Sequence, residues 1–238
     1  MNPPPQLAQY GLNLFAVLDW TKLSPDCQKT NQELDLHFTP KRLILVGNGG
    51  PTFWEAFSTH RQNEAHPVDQ FCIRVIKDWL QKEPAIPNVA WLYPLTDLVF
   101  PLQQAGKTAG WHLPSPLGIG IHKQYGLWFA YRAALLTDAA LPLTESSLLT
   151  SPCEDCIEKP CIQACPVQAI TATEPPHLER CSPYRLQKQT HCQNQCLSRM
   201  SCPYASEYRY TDEQIRYHYQ HSYQMLLKWY SSTPSNHL

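Results

Sequence analysis

Cys153-Glu154-Asp155-Cys156-Ile157-Glu158-Lys159-Pro160-Cys161-Ile162-Gln163-Ala164-Cys165-Pro166 is the stretch that decides how the rest of the chain is read. An iron–sulfur cluster needs thiolates converging on the corners of a cube. A tight loop ending in Cys-x3-Cys-Pro supplies them, and the proline stops the chain from closing over the cluster. The ferredoxin run has two residues between its second and third cysteines, whereas four separate Cys156 from Cys161.

A looser set follows: Cys181, Cys192, Cys196 and Cys202-Pro203, with ten, three and five residues between successive members. In two-cluster ferredoxins the fourth cysteine of each run ligates the other cluster. That logic pairs Cys153, Cys156 and Cys161 with Cys202, and Cys181, Cys192 and Cys196 with Cys165, for two 4Fe-4S clusters. Two structural zinc sites are the alternative, since four thiolates also satisfy tetrahedral zinc. Zinc knuckles usually present two short Cys-x2-Cys pairs, and only Cys153/Cys156 has that form.

Outward from this run, the chain has 238 residues, 43% apolar and 16% charged, with a formal charge of -1. That is enough for one large domain or two small ones and excludes disorder as the main state. Lys+Arg (19) and Asp+Glu (20) nearly cancel, so no global field draws the chain to nucleic acid or an anionic membrane. Nucleic acid is accordingly not an expected partner. There is no membrane-spanning run and no secretion signal, so the expected location is the cytoplasm. In that reducing compartment the even, clustered set among 10 cysteines points to metal and not to disulfides.

Residues 1–149 read as a larger domain, 150–206 as the cysteine module and 207–238 as a helix returning to the first domain. Leu14 to Leu18 is apolar, and Leu43-Ile44-Leu45-Val46 is strand-like and breaks into Gly47-Asn48-Gly49-Gly50, after which Pro51 opens a helix through Ser58. Val68, Phe71, Cys72, Val75, Ile76, Trp79 and Leu80 share one helical face, which leaves Cys72 inert in the core; Cys27 stays unassigned. Val89 to Tyr93 reads as a strand and Leu102 to Ala109 as a helix closed by Gly110. Leu117 to Ile121, the turn His122 to Gly126 and Leu127 to Thr137 suggest a hairpin whose second strand is internal, since it is apolar on both faces except at Arg132. Thr211-Asp212-Glu213-Gln214 fits a capping box, with Ile215, Tyr219, Leu226 and Tyr230 following at helical spacing and a frayed tail from Ser231.

Three segments carry a resemblance. His66-Pro67-Val68-Asp69-Gln70, Ile119 to Arg132 (Ile-Gly-Ile-His-Lys-Gln-Tyr-Gly-Leu-Trp-Phe-Ala-Tyr-Arg) and Tyr210-Thr211-Asp212-Glu213-Gln214 resemble, in that order, segments of CblC-type cobalamin-processing proteins, the cyanocobalamin reductases and alkylcobalamin dealkylases. From Leu135-Leu136-Thr137-Asp138 through the cysteines to Cys165-Pro166-Val167-Gln168-Ala169-Ile170 the chain also looks like epoxyqueuosine reductases and reductive dehalogenases, in which two 4Fe-4S clusters follow a corrinoid domain. The resemblance implies an α+β fold: a nitroreductase-like corrinoid-binding domain with a bacterial ferredoxin-like 4Fe-4S module. It implies a cobalamin or related corrinoid bound with its lower base detached, and an external donor of ferredoxin or flavodoxin type. A flavin in the same pocket is compatible with nitroreductase ancestry, although no residue demands it. The chain departs from these relatives: it has cysteines that animal CblC-type proteins lack, and neither the helical-repeat tail of epoxyqueuosine reductases nor the export signal of dehalogenases.

For the corrinoid the resemblance nominates His122, Trp128, Tyr131 and Arg132; no catalytic residue is singled out. Each has a plainer reading. His122 is a turn histidine bonded to backbone or facing solvent, Trp128 and Tyr131 are core aromatics, and Arg132 must be paired because an unpaired buried guanidinium is costly. His66 and Asp69 read as helix caps. Three functions remain: a reductase that reduces cobalamin and removes its upper ligand or uses it as cofactor, an epoxyqueuosine-reductase-like enzyme acting on tRNA, and a 4Fe-4S electron carrier without catalytic corrinoid.

Overall fold

The computed structural model describes residues 2–30, 34–94, 98–145 and 149–232. Its centre is a four-stranded antiparallel sheet of β1 (Leu14–Asp19), β2 (Arg42–Gly49), β3 (Val89–Tyr93) and β4 (Phe129–Thr137), in the order β1-β2-β4-β3. β4 lies between β2 and β3, the internal place its two apolar faces call for.

Alternate residues along the strands feed two cores. Phe15, Val17, Ile44, Val46, Ala133 and Leu135 face α1 (Pro5–Ala8), α3 (Thr52–His60) and α4 (Pro67–Leu80) through Leu7, Phe53, Phe57, Phe71 and Ile76. Leu14, Ala16, Leu18, Leu43, Leu45, Ala134 and Leu136 face the other way, toward Trp20, Cys27 of α2 (Pro25–Lys29), Ala105 of α5 (Leu102–Thr108), Trp111 and Tyr125. A period of two with apolar groups at both phases is what a sheet covered on both sides requires.

β2 does not end at Gly47 but continues through Gly49, because Tyr125 packs so closely that a Cβ on Gly49 would lie 2.2 Å from its ring; the turn comes only at Gly50, at φ 74°. Val46 pairs with Ala133 and Gly47 with Tyr131, so Arg132 is the extra residue of a β-bulge. The expected hairpin is also absent. Residues 117–121 form no strand with β4, and the segment is held by single bridges from Leu113 to Ile121 and from His122 to Gly126. Pro51 caps α3 instead of opening it, and α3 runs on to His60.

The cysteine region contains α6 (Pro160–Gln163), α7 (Leu178–Leu186) and α8 (Leu197–Met200), and among its described residues no strand. α9 (Asp212–Ser232) then returns to the sheet domain. Half of the expected capping box forms: the Thr211 hydroxyl accepts from the Gln214 amide at 3.2 Å, while the Gln214 side chain is buried without a partner. The first turns of α9 pack on α3, with the Tyr217 and Trp54 rings 5.0 Å apart. Toward its far end Met225, Leu227 and Trp229 are exposed. The helix continues through Ser231 and Ser232, and the rest of the tail lies outside the described residues.

Candidate iron–sulfur centres

The eight clustered cysteines separate into two groups of four. Cys153, Cys156, Cys161 and Cys202 line one cavity of about 420 Å³, shared with Leu117, Ile121, Leu127, Lys159 and Tyr204. Cys165, by contrast, belongs with Cys181, Cys192 and Cys196: the Cys181 thiol feels the charge of the other three, and Cys192 feels Cys196 and Cys165. Each run thus has its last cysteine beside the other set.

Local structure explains the gathering. The Ser151 hydroxyl accepts from the Cys153 amide at 3.2 Å and donates to the Pro114 carbonyl at 2.6 Å, tying the start of the cysteine run to the segment before Ile121. Pro160 opens α6 and sets Cys161 on its first turn. Cys165 leaves that helix with its sulfur accepting the Ala169 amide at 3.2 Å. Cys181 lies on α7, and Cys202 just beyond α8. Pro203 lines the first cavity, as expected of a proline that holds the chain off a cluster.

Two sets of four thiols are a donor type that suits an iron–sulfur cluster or tetrahedral zinc. Among the described residues no three His, Cys, Asp or Glu side chains are grouped closely enough to hold a single metal ion. The four thiols of the first group surround a void instead. Burial, the largest influence, pushes Cys153, Cys161 and Cys202 of the first group and Cys181 and Cys192 of the second above the usual thiol range. Neighbouring thiols add to the effect in both groups. All ten cysteines are free of disulfides. Cys72 is buried and pushed up to about 12 by desolvation, and Cys27 is buried with the Ser24 hydroxyl 3.4 Å from its sulfur.

The residues nominated for a corrinoid are not brought together. His122 Nδ1 accepts from the amides of Gln124 and Tyr125 at 3.1 and 3.3 Å, and burial lowers the imidazole to about 4, so it is a neutral, backbone-bonded turn histidine. Trp128 is fully buried beneath Arg199, 4.6 Å from its ring, and Tyr210, 5.5 Å away. Tyr131 and Arg132 face opposite sides of the sheet. The Tyr131 hydroxyl is 3.3 Å from His112 Nδ1 on the α5 side, while Arg132 donates to Asn48 Oδ1 at 2.7 Å and stacks 4.6 Å over Phe53. No carboxylate among the described residues pairs with Arg132 at ion-pair distance, and Asp69 is its nearby counter-charge. His66 stands at the N-cap position of α4 in left-handed backbone at φ 51°, but its side chain makes no capping bond, and Asp69 lies in the first turn.

Sequence reasoning did not single out Lys159, Ser151, Arg199 or Leu127. The four-residue spacing before Cys161 was the available sign of the first. The other three act through backbone carbonyls and amides, which leave no pattern in a sequence.

No protein-family model matches the chain, and no curated protein matches it by sequence. Solved structures do. An epoxyqueuosine reductase from Streptococcus thermophilus superposes with a TM-score of 0.55 at 15% identity, covering 84% of this chain and 64% of its own. An epoxyqueuosine reductase solved with a tRNA-Tyr epoxyqueuosine-modified stem loop does so with a TM-score of 0.54 at 13% identity, covering 88% and 66%. The chain therefore shares their fold and spans just under two thirds of their length. A C. elegans B12-trafficking protein CblC aligns over 98% of this chain at a TM-score of 0.42 and 11% identity, too weak a likeness to carry an argument. Among the described residues no helix is long and apolar enough to cross a membrane.

Proposed function

We propose that this chain is an iron–sulfur oxidoreductase holding two 4Fe-4S clusters, one on Cys153, Cys156, Cys161 and Cys202 and the other on Cys165, Cys181, Cys192 and Cys196. The observation that carries the reading is the crossed gathering of eight thiols around two centres, one of them a cavity and not an ion-sized point. When bound, such clusters supply one-electron transfer at low potential. The chain's own groups hold and shield them. The Ala169 amide donates to a ligand sulfur of the second centre, while Leu117, Ile121, Leu127 and Pro203 wall the first with apolar surface that excludes water.

The acceptor we propose is a corrinoid, the ligand implied by the resemblance of Ile119 to Arg132. Support comes from Ile121 and Leu127 of that segment, which form the wall facing the first four cysteines. The nominated set His122, Trp128, Tyr131 and Arg132 does not fit one ring, and no step is routed through it. Anaerobic iron and sulfide analysis with a cobalamin titration tests both parts. About eight irons per chain are expected, with the spectral change of lower-base loss on adding cobalamin. Zinc in place of iron ends the first part, and an unchanged cobalamin spectrum at saturating protein ends the second.

A second reading, an epoxyqueuosine-type activity on tRNA, is favoured by the relative solved with its stem loop. Retention of tRNA at physiological salt with reduction of the modified base would select it over the first.

A further inference from the structure

The longer spacing between Cys156 and Cys161 has a structural use. It places Lys159 in left-handed backbone at φ 40°, immediately before the proline that opens α6, and the side chain turns back over its own loop. Lys159 Nζ donates to the carbonyl of Cys153 at 2.9 Å and to the carbonyl of Cys156 at 3.1 Å. The same side chain lines the cavity those cysteines surround. One ammonium is thus fastened to the backbone of two of the four proposed ligand residues, on a residue that lines the cavity between them.

Among the described residues the second group shows no equivalent clamp. Arg185 reaches only the Cys192 carbonyl, through Nε at 3.2 Å, and its other nitrogens go to Ser222 and Tyr219 of α9. The two sets therefore differ in how a cation is presented to them.

Resting on the cluster reading above, we propose that Lys159 is a positioning residue that raises the reduction potential of the first cluster by fixing a positive charge beside it. The chemistry is one-electron and breaks no bond: the cluster gains a single electron, and with it one negative charge, from an external one-electron reductant. A nearby cation stabilises the form carrying the extra negative charge. The ammonium also engages two carbonyl dipoles whose negative ends belong to ligand residues. Electrons arriving at either centre then collect at the first, beside the apolar wall where an acceptor is proposed to dock.

The test is a dithionite redox titration, followed by electron paramagnetic resonance, on the anaerobic full chain carrying both clusters. Lys159→Gln keeps donors for the two carbonyls and removes the charge; Lys159→Met removes both, and Lys159→Arg keeps the charge. At a fixed poise both neutral variants are expected to lower the reduced-to-oxidised ratio of one cluster about tenfold, about 59 mV for a one-electron couple. The other cluster should not move, and Lys159→Arg should recover most of the shift. Neutral variants with full iron content and unshifted midpoints would overturn the role of Lys159 and leave the clusters standing. A wild-type chain that binds no iron would instead remove the reading beneath it.

Discussion

Arg199 Nη2 donates to the Leu127 carbonyl at 2.6 Å, joining two residues 72 positions apart on opposite sides of the boundary between cysteine region and sheet domain. Leu127 also lines the first cavity, so the bond fixes the wall opposite the thiols. The same guanidinium lies 4.6 Å over Trp128 and 5.4 Å over Tyr210. Arg199→Ala removes a charge-assisted hydrogen bond and two ring contacts at once, so an unfolding free-energy loss of about 2 to 3 kcal/mol is expected in a denaturant titration. Arg199→Lys should recover less than half, because an ammonium cannot span carbonyl and rings as the planar fork does. A loss below about 0.5 kcal/mol would show that the region docks without it.

Arg132 makes a contrasting case. As the extra residue of the β4 bulge it is aimed at Asn48 and Phe53, with no contact to either cysteine group. Arg132→Met should cost about 2 kcal/mol or more, through the Asn48 oxygen left without its donor and the lost stacking. Iron per chain should stay at the wild-type value. Loss of iron from a folded Arg132→Met chain would place Arg132 in the metal chemistry, against its position in the fold.

How far the sequence could be read depended on where each contact is made. The apolar pattern of Leu127 to Thr137 on both faces is a property of side chains, and it correctly gave an internal strand, which runs from Phe129. The continuation of β2 through Gly47-Asn48-Gly49 was not legible, because Gly49 lies against the Tyr125 ring and Gly47 against the Ala130 carbonyl and Trp111, and neither sits in a local turn. The hairpin failed likewise: His122 spends its Nδ1 on two backbone amides, closing a tight turn that β4 does not extend.

That turn gives a pH dependence with a definite sign. His122 falls from 6.5 to about 4 because burial disfavours its charged form, and protonation at Nδ1 would break both amide bonds. The unfolded chain therefore binds the proton first. The contribution to stability is fully present above about pH 6.5 and is lost as pH falls through 4, about 3 kcal/mol over the window. His218, lowered to about 3 mainly by burial, acts in the same direction. Chemical unfolding at pH 7, 5.5 and 4.5 should show this decline. His122→Asn, which keeps an acceptor for the amides but does not titrate, should make it shallower. An equal slope in the variant would show that His122 is protonated without strain in the folded chain.

The crossed grouping separates from an uncrossed one by a pair of single substitutions. In the crossed arrangement Cys202 completes the centre begun by Cys153, Cys156 and Cys161, and Cys165 completes the centre of Cys181, Cys192 and Cys196. Cys202→Ala should leave about four of about eight irons, with the surviving cluster insensitive to Lys159→Gln. Cys165→Ala should also leave about four, but with a survivor whose midpoint still responds to Lys159→Gln. Uncrossed ligation reverses the pattern, since Cys165 would then belong to the centre beside Lys159. Metal analysis gives the count in each case, and the redox titration assigns the survivor. Neither reading depends on turnover, so a dead variant remains as informative as an active one.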